Sequence, residues 1–264
     1  MSENKLHIVL EVQDLSIGYK TKSTASKIAS GINFELQQGQ LIGLVGANGI
    51  GKSTLLRTLI KVQPELSGNI SINNKDLKST SAQQLATQLS IVLTEQLTSK
   101  NLSVFELVAL GRHPYTNWIG NLSEEDNSKI MKALELVNII ELKDKRCFEL
   151  SDGQLQKVMI SRALAQDTDI IVLDEPTTHL DMYHKAYILK LLKTLTNETG
   201  KTILFSSHEI NLAIQLCDTM IVMTKGKVIC DQPCNLIEKN VFDKLFPEDM
   251  IAFDTKTGSF RVTK

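Results

Sequence analysis

The sequence of 264 residues lacks a long apolar run, a large net charge and a C-x-x-C pair of cysteines; its formal net charge is −1. No segment approaches the ~20 consecutive apolar residues that a membrane-spanning helix needs, and the first five residues contain no apolar signal core. We therefore expect a cytosolic protein. The 29 basic and 30 acidic side chains nearly cancel and form no basic stripe, so direct binding to nucleic acid is not expected.

Cysteine is scarce, and its spacing is uninformative about ligands. No two of the four cysteines form a C-x-x-C pair, and none lies in a segment rich in other metal ligands. This pattern favours neither a disulfide framework nor a zinc site. We expect reduced thiols at Cys147, Cys217, Cys230 and Cys234.

A glycine-rich segment at residues 46–54 is the most specific motif present. It follows the short apolar run 40–45 and matches the pattern G-x-x-x-x-G-K-[ST] of a phosphate loop. Its glycines let backbone N–H groups face nucleotide phosphates, the lysine supplies a positive charge, and the serine can hold Mg²⁺. Apolar residues at helical spacing follow at 52–61, so an ordinary glycine turn does not explain the pattern. The predicted nucleotide-binding residues are Gly46, Ala47, Asn48, Gly49, Ile50, Gly51, Lys52, Ser53 and Thr54.

Two carboxylates end a strand-like apolar run at 169–175. Such a run is typical of a parallel strand that is buried on both faces and whose C-terminal end opens toward a ligand crevice. We expect Asp174 to hold the metal ion through water, and Glu175 to orient or deprotonate the water that attacks the terminal phosphate. The alternative, a solvated strand end, is disfavoured by the four apolar residues directly before the pair.

Residues 150–154 read L-S-D-G-Q, and with the two motifs above they carry a family resemblance. The chain resembles the nucleotide-binding subunit of an ATP-binding cassette (ABC) transporter, whose signature is L-S-G-G-Q; Asp152 replaces the first glycine. The resemblance implies that Ser151, Gly153 and Gln154 contact ATP held by the phosphate loop of a second copy. A hydroxyl, a glycine that allows close backbone approach and a following helix N-terminus suit contact with phosphate.

Three further residues match the family individually. Tyr19 matches the aromatic that stacks on adenine, although a buried strand aromatic would give the same pattern. Asp181 matches the loop that contacts the other subunit. His208, which follows an apolar run, matches the switch histidine that hydrogen-bonds the γ-phosphate, although a lone histidine is often structural. The resemblance thus implies Glu175 and His208 as the catalytic residues.

One position departs from the family pattern. The strand-like run 90–93 should lead into a glutamine that touches Mg²⁺ and the membrane partner, but here Thr94 stands at that position, followed by Glu95 and Gln96. Either Thr94 or Glu95 substitutes for the glutamine, or a shifted backbone lets Gln96 serve. With Gln96 included, the predicted metal residues are Ser53, Asp174 and Gln96.

Length and pattern predict one α/β domain over residues 1–264. Predicted strands at 8–12, 32–36 and 69–72 surround the phosphate loop, and helical spacing begins at about 98. The resemblance implies a P-loop NTPase fold with a mostly parallel core sheet, an antiparallel β-region and an inserted helical subdomain at about 98–165. Residues 246–264 resemble a terminal β-hairpin.

Residues 105–115, F-E-L-V-A-L-G-R-H-P-Y, resemble a stretch in the ATPases of importers for iron-siderophores, haem and cobalamin. We expect a helix ending at Gly111 and then a proline turn that presents Arg112 and Tyr115 to a neighbour. The suggested cargo, an iron chelate, follows from this analogy alone.

One phosphate loop and one signature per chain imply that a homodimer forms two complete ATP sites. The expected function is ATP hydrolysis that powers an importer, with ATP and Mg²⁺ as cofactors, a polytopic membrane permease as partner and, indirectly, a substrate-binding protein. The chain would then lie at the cytoplasmic face of the inner membrane, attached through the permease. The alternative is a cytosolic, non-transport ABC ATPase that acts on an assembly scaffold such as that of iron–sulfur biogenesis, because it would share every nucleotide motif.

Overall fold

A computed structural model describes residues 7–20, 25–94, 100–117, 120–247 and 249–263. Within these ranges, no helix combines the length and the apolar character that crossing a membrane requires. The strands are β1 (Ile8–Lys20), β2 (Ala25–Gln37), β3 (Leu41–Gly46), β4 (Ser67–Ile72), β5 (Lys75–Asp76), β6 (Leu89–Val92), β7 (Ile170–Leu173), β8 (Thr202–Ser206), β9 (Thr219–Thr224), β10 (Lys227–Asp231), β11 (Ile251–Asp254) and β12 (Ser259–Val262).

Helices cover both faces of the central sheet and fill the segment between β6 and β7. Short 3₁₀ helices at Leu110–Tyr115, Ile140–Leu142, Cys147–Glu149 and Phe242–Lys244 connect them. The α-helices are α1 (Lys52–Leu59), α2 (Ala82–Ala86), α3 (Val104–Ala109), α4 (Glu124–Leu136), α5 (Asp152–Ala165), α6 (Met182–Thr199), α7 (Ile210–Leu216) and α8 (Pro233–Glu238).

The central sheet has six strands in the order β10-β9-β3-β8-β7-β6. Strands β6, β7, β8, β3 and β9 run parallel to their neighbours, and β10 is an antiparallel edge strand. Every residue of β3, β7 and β8 is buried, as a sheet covered on both faces requires. The predicted mostly parallel core sheet is confirmed.

A second sheet, in the order β2-β1-β4-β5, is antiparallel throughout. Its inward residues, such as Leu10 and Leu36, join Leu55 and Leu59 of α1 in one apolar cluster on one face of the central sheet. The opposite face packs against α3 to α7. The predicted antiparallel β-region is confirmed, and the sandwiched α1 places its first turn beside the central strand β3.

Each helix between β6 and β7 begins with the same local device. A serine hydroxyl accepts the backbone N–H three residues on, and the side chain of that third residue accepts the serine N–H, which satisfies two donors that a helix start leaves unpaired. The pairs are Ser103 with Glu106 for α3, Ser123 with Asp126 for α4, and Ser151 with Gln154 for α5.

The expectation that a turn presents Arg112 to a neighbour is wrong. Helix α3 ends at Ala109 and a 3₁₀ helix continues the chain, which leaves Arg112 only 5% exposed. Its Nε donates to Asp126 Oδ1 at 2.7 Å, and its Nη1 donates to the carbonyl of Ala165 at 2.8 Å. The guanidinium also lies 4.1 Å from the ring centre of the half-exposed Tyr115. Arg112 therefore joins three parts of the helical segment from within.

The predicted terminal β-hairpin is confirmed. Strands β11 and β12 pair antiparallel, with Phe253 opposite Phe260. Both rings pack on Phe242, with ring centres 5.0 and 6.3 Å from it. The hairpin is thus held to the end of the α/β core by aromatic packing.

Candidate functional site

The predicted phosphate loop, carboxylates and histidine meet at the carboxyl ends of three adjacent parallel strands. The loop follows β3, Asp174 and Glu175 follow β7, and His208 follows β8. Ligands bind at this edge of open α/β sheets. A cavity of about 390 Å³ lies there, lined by Tyr19, Ile28, Asn48, Gly49, Gly51, Lys52, Ser53, Thr54, Glu175 and His208.

Two glycines give the phosphate loop its shape. Gly49 has φ +72° and Gly51 has φ +111°, a left-handed backbone that side chains rarely adopt. A Cβ on Gly51 would also lie 2.5 Å from Ile28 Cγ2. Helix α1 begins directly after Gly51, so its unpaired N–H groups and the positive end of its dipole face the cavity.

Lys52 is held inside the loop. Its Nζ donates to the carbonyls of Gly46, at 3.0 Å, and Ala47, at 3.4 Å, and the residue is 5% exposed. Burial lowers the pKa of Lys52, while the carboxylates of Glu175 and Asp174 act in the opposite direction. The ammonium is therefore positioned at the point where a nucleotide phosphate would meet the loop.

Ser206, at the end of β8, binds the carboxylate of Asp174 and the backbone of Glu175. Its hydroxyl donates to Asp174 Oδ1 at 2.7 Å and accepts the Glu175 N–H at 2.8 Å. This contact accompanies a left-handed backbone at Glu175, with φ +49°. Sequence reasoning missed Ser206, and the available signal was a polar residue that ends an otherwise apolar strand.

Glu175 and His208 form a direct contact. His208 Nε2 lies 2.6 Å from Glu175 Oε1, and Thr178 Oγ1 donates to Glu175 Oε2 at 3.2 Å. An ionised carboxylate can only accept hydrogen bonds, so the Nε2 of His208 carries the proton. The structure thus places a carboxylate suited to activating water beside an N–H suited to binding phosphate.

Tyr19 stands at the rim of the cavity, at the end of β1, and is 53% exposed. It is therefore not a buried strand aromatic, which was the alternative. Its hydroxyl lies 3.1 Å from Thr54 Oγ1, so the ring is tied to the phosphate loop. An exposed ring held beside a phosphate loop is placed to stack on a base, and the adenine role remains a prediction.

The signature residues lie apart from this cavity. Ser151 Oγ accepts the N–H of Gln154 at 3.3 Å, and Gln154 Oε1 accepts the N–H of Ser151 at 3.0 Å, so both side chains cap α5. A Cβ on Gly153 would lie 3.0 Å from His184 Cδ2. Among the described residues, Ser151, Gly153 and Gln154 are absent from the cavity lining, as expected if they serve a second copy.

Asp181 caps α6 and is likewise outside the cavity lining in the described part of the chain. Its carboxylate accepts the N–H of His184 at 2.8 Å and contacts His184 Nδ1 at 2.9 Å. These hydrogen bonds from His184, the backbone one first, lower the pKa of Asp181. The negative charge also lies at a helix N-terminus, where it is stabilising.

Of the three residues that could replace the family's glutamine, the structure describes only Thr94. Thr94 is exposed, and its hydroxyl donates to the carbonyl of Asp174 at 2.9 Å. Glu95 and Gln96 lie outside the described residues, so the choice of Gln96 as a metal residue stays a prediction. Thr94 ties the end of β6 to the carboxylate turn after β7.

The remaining predicted metal residues suit Mg²⁺. The described residues contain no group of three or more His, Cys, Asp or Glu that could hold a metal by themselves. Mg²⁺ is typically held by one or two protein oxygens together with substrate phosphates and water. The hydroxyl of Ser53 and the carboxylate of Asp174 match that chemistry.

Comparison with known proteins supports one family. The family model for ABC transporters matches residues 29–178. An uncharacterized ABC transporter ATP-binding protein of Methanocaldococcus jannaschii is 37% identical over 255 residues, which cover 96% of this chain and 87% of that protein. The iron(3+)-hydroxamate import ATP-binding protein FhuC of Bacillus subtilis is 37% identical over 220 residues, covering 83% and 80% of the two chains.

A solved structure agrees with these matches. The dimeric structure of an ATP-binding cassette in a post-hydrolysis state, bound to ADP and Pi, superposes with a TM-score of 0.71 at 25% identity, covering 85% of this chain and 98% of that chain. The match thus covers most of both chains. The protein belongs to the ABC transporter family.

Proposed function

We propose that this chain is the ATP-hydrolysing subunit of an importer for an iron chelate (a siderophore), for haem or for cobalamin. As a member of the ABC transporter family, the chain binds and hydrolyses ATP. The observation that carries the assignment of the active site is the meeting of Lys52, Glu175 and His208 around one cavity. An ammonium, a carboxylate and an imidazole at that edge provide what phosphoryl transfer to water needs.

The charged and polar residues at and beside the cavity then have defined tasks. Lys52 and the N–H groups at the start of α1 hold the β- and γ-phosphates. Ser53 and Asp174 would hold Mg²⁺, which neutralises phosphate charge when bound. The Nε2–H of His208, which donates to Glu175, can donate instead to a γ-phosphate oxygen. That exchange releases one Glu175 oxygen to orient or deprotonate the attacking water.

Two copies complete the sites in this proposal. Among the described residues, the signature residues and Asp181 of each chain do not line that chain's own cavity, and the dimeric cassette that resembles this chain supports a paired arrangement. Ser151 and Gly153 of one copy contact the γ-phosphate held by the other. Closure of the pair is favoured because ATP contacts both copies only in the closed form.

The cargo and the membrane partner follow from the relatives. FhuC, at 37% identity, acts in iron(3+)-hydroxamate import. We infer the same class of cargo here, delivered by a substrate-binding protein to a polytopic permease whose cytoplasmic face holds the ATPase pair. Residues 1–264 act as one nucleotide-binding domain, and residues 98–165 act within it as the helical subdomain that meets the permease.

Replacing Glu175 with glutamine tests the catalytic assignment. The amide keeps the size of the side chain but cannot accept a proton, so we expect unchanged ATP affinity and a loss of at least about 100-fold in kcat. With Mg·ATP the variant should elute as a dimer in size-exclusion chromatography with light scattering. Glu198→Gln, on an exposed position of α6, is the matched control and should keep full activity. Full turnover by Glu175→Gln would refute the assigned base.

The same variant tests the transport assignment. Tagged Glu175→Gln protein is bound to Mg·ATP in mild detergent, and the proteins that stay attached are identified by mass spectrometry. Recovery of a polytopic permease supports the importer and, through its substrate-binding protein, the cargo class. Recovery of soluble assembly factors alone would instead support the scaffold ATPase.

A further inference from the structure

An ion pair joins the first turn of α6 to the loop that carries His208. Lys185 Nζ lies 2.6 Å from Glu209 Oε1, and the two side chains are 28% and 30% exposed. Lys185 is four residues after Asp181, the cap of α6, and its N–H donates to the Asp181 carbonyl at 2.9 Å. Glu209 directly follows His208. The pair therefore connects two segments that carry predicted ATP-contacting residues.

The carboxylate of Glu209 is directed to this contact. Glu209 is the residue before α7, but its side chain makes no capping hydrogen bond to that helix. Its backbone N–H donates to Ser207 Oγ at 2.9 Å, which bends the chain at His208. Since His208 Nε2 lies 2.6 Å from Glu175, a shift of Glu209 moves the imidazole relative to the carboxylate beside it.

Lys185 lies on helix α6, which is packed against the core. The helix has 18 residues, and Ile188, Leu189 and Leu192 on its inner face are at most 1% exposed. The ammonium of Lys185 is therefore presented from a packed element, whereas the His208 turn is a loop between β8 and α7. An ion pair between a packed helix and a loop fixes the loop.

We propose that Lys185 is a positioning residue for ATP hydrolysis, acting through Glu209 to hold His208 against Glu175. This inference rests on the proposed function, because it takes Glu175 and His208 as the hydrolytic residues. Among the described residues, Lys185 is not part of the lining of the nucleotide cavity. It therefore affects the geometry of the reacting groups, while the phosphate loop binds the nucleotide.

The kinetic signature follows from this division. A misplacement of a catalytic group by ~1 Å can lower the rate about 100-fold. The loop keeps the hydrogen bond from Glu209 N–H to Ser207 when the ion pair is lost, so we expect a smaller loss of about tenfold in kcat. The KM for ATP should stay within about twofold, since the contacts of Lys52 and Tyr19 are unchanged. A partly exposed ion pair contributes little to folding, so thermal unfolding should shift only slightly.

A charge-exchange cycle on the full chain is the test. The kcat values of the charge reversals Lys185→Glu and Glu209→Lys are compared with that of the double exchange. Lys185→Arg and Lys185→Gln are included as milder changes in case the charge reversals fold poorly. We expect both reversals and Lys185→Gln to lower kcat, and the double exchange and Lys185→Arg to recover it to within about threefold. Lys190→Glu, an exposed lysine on the same helix, is the matched control and should leave kcat unchanged.

His208→Ala distinguishes a failure of the Lys185 positioning role from a failure of the catalytic role of His208. If His208→Ala abolishes turnover while Lys185→Gln and Glu209→Lys keep wild-type kcat, the positioning role is refuted and the proposed function stands. Equal losses in single and double exchanges would also refute it, since no pairing would then be measured. If His208→Ala turns over normally, the catalytic role that the proposed function gives His208 fails, and the positioning role fails with it.

Discussion

Replacing Asp126 with asparagine should destabilise the protein strongly, although Asp126 is far from the predicted ATP site in sequence. Its side chain is 7% exposed, and its Oδ1 accepts from Arg112 Nε at 2.7 Å. Its Oδ2 accepts from the Ser123 hydroxyl at 2.7 Å and the Ser123 N–H at 2.9 Å. Either orientation of an asparagine amide would point N–H groups at one of these donors, and the buried guanidinium would lose its counter-charge.

The size of the effect follows from the burial of both partners. Breaking a buried ion pair by removing one charge costs about 3–5 kcal/mol of unfolding free energy. In a chain of this length each kcal/mol lowers Tm by about 2 °C, so Asp126→Asn should melt about 6–10 °C below the wild type. Glu125→Gln removes one charge from the same turn of α4, at an exposed position, so it controls for the helix dipole and should cost less than about 1 kcal/mol.

Urea unfolding followed by circular dichroism measures the difference, and its pH dependence identifies the cause. Hydrogen bonds from Ser123, and then from Arg112, lower the pKa of Asp126 to about 2. A carboxylate with a lowered folded-state pKa stabilises above its unfolded pKa and loses that contribution as the pH falls through the folded pKa. The difference in unfolding free energy between wild type and Asp126→Asn should therefore be constant from about pH 8 to 5 and narrow as the pH falls from about 4 to 2. Equal unfolding free energies at pH 7 would refute the reasoning.

Two further predictions concern the nucleotide site and the thiols. Tyr19→Phe keeps the ring and loses the Thr54 contact, so its ATP affinity should fall less than about tenfold. Tyr19→Ala also loses the stacking, so its ATP affinity should fall further. Equal ATP affinities of the two variants, measured by calorimetry, would contradict the base-stacking role. Iodoacetamide at pH 8 should modify the exposed Cys234 before the other three cysteines. Burial raises the pKa of the Cys147 and Cys217 thiols and raises that of Cys230 to about 12. A fast phase of thiol modification that persists in Cys234→Ser would contradict this order.

The features that could be predicted from the sequence are those encoded locally. The phosphate loop needs its glycines within a few positions, and Gly49 and Gly51 indeed adopt positive φ. The fully apolar run of β7 predicted a parallel strand because a strand covered on both faces has no polar side. His208 could be placed near Glu175 because both end strands at the same edge of the sheet.

Features that depend on distant partners could not be predicted. Arg112 looked like a surface residue because its counter-charge, Asp126, lies 14 positions on and its carbonyl partner 53 positions on. Ser206 reads as the polar end of a strand until β7 is known to lie beside β8. The Lys185 and Glu209 pair spans 24 positions and follows no motif.

The order of the strands decides when, during synthesis, the phosphate-binding site can be completed. The phosphate loop follows β3, but Leu41 pairs with Ile203 on one side and Ile42 with Thr219 on the other. A nascent chain that has exposed only the loop therefore has no neighbour for the strand that supports it. Residues up to the end of β9 must therefore leave the ribosome before both neighbours of β3 are present, so the nucleotide site is completed only after β9 has been made.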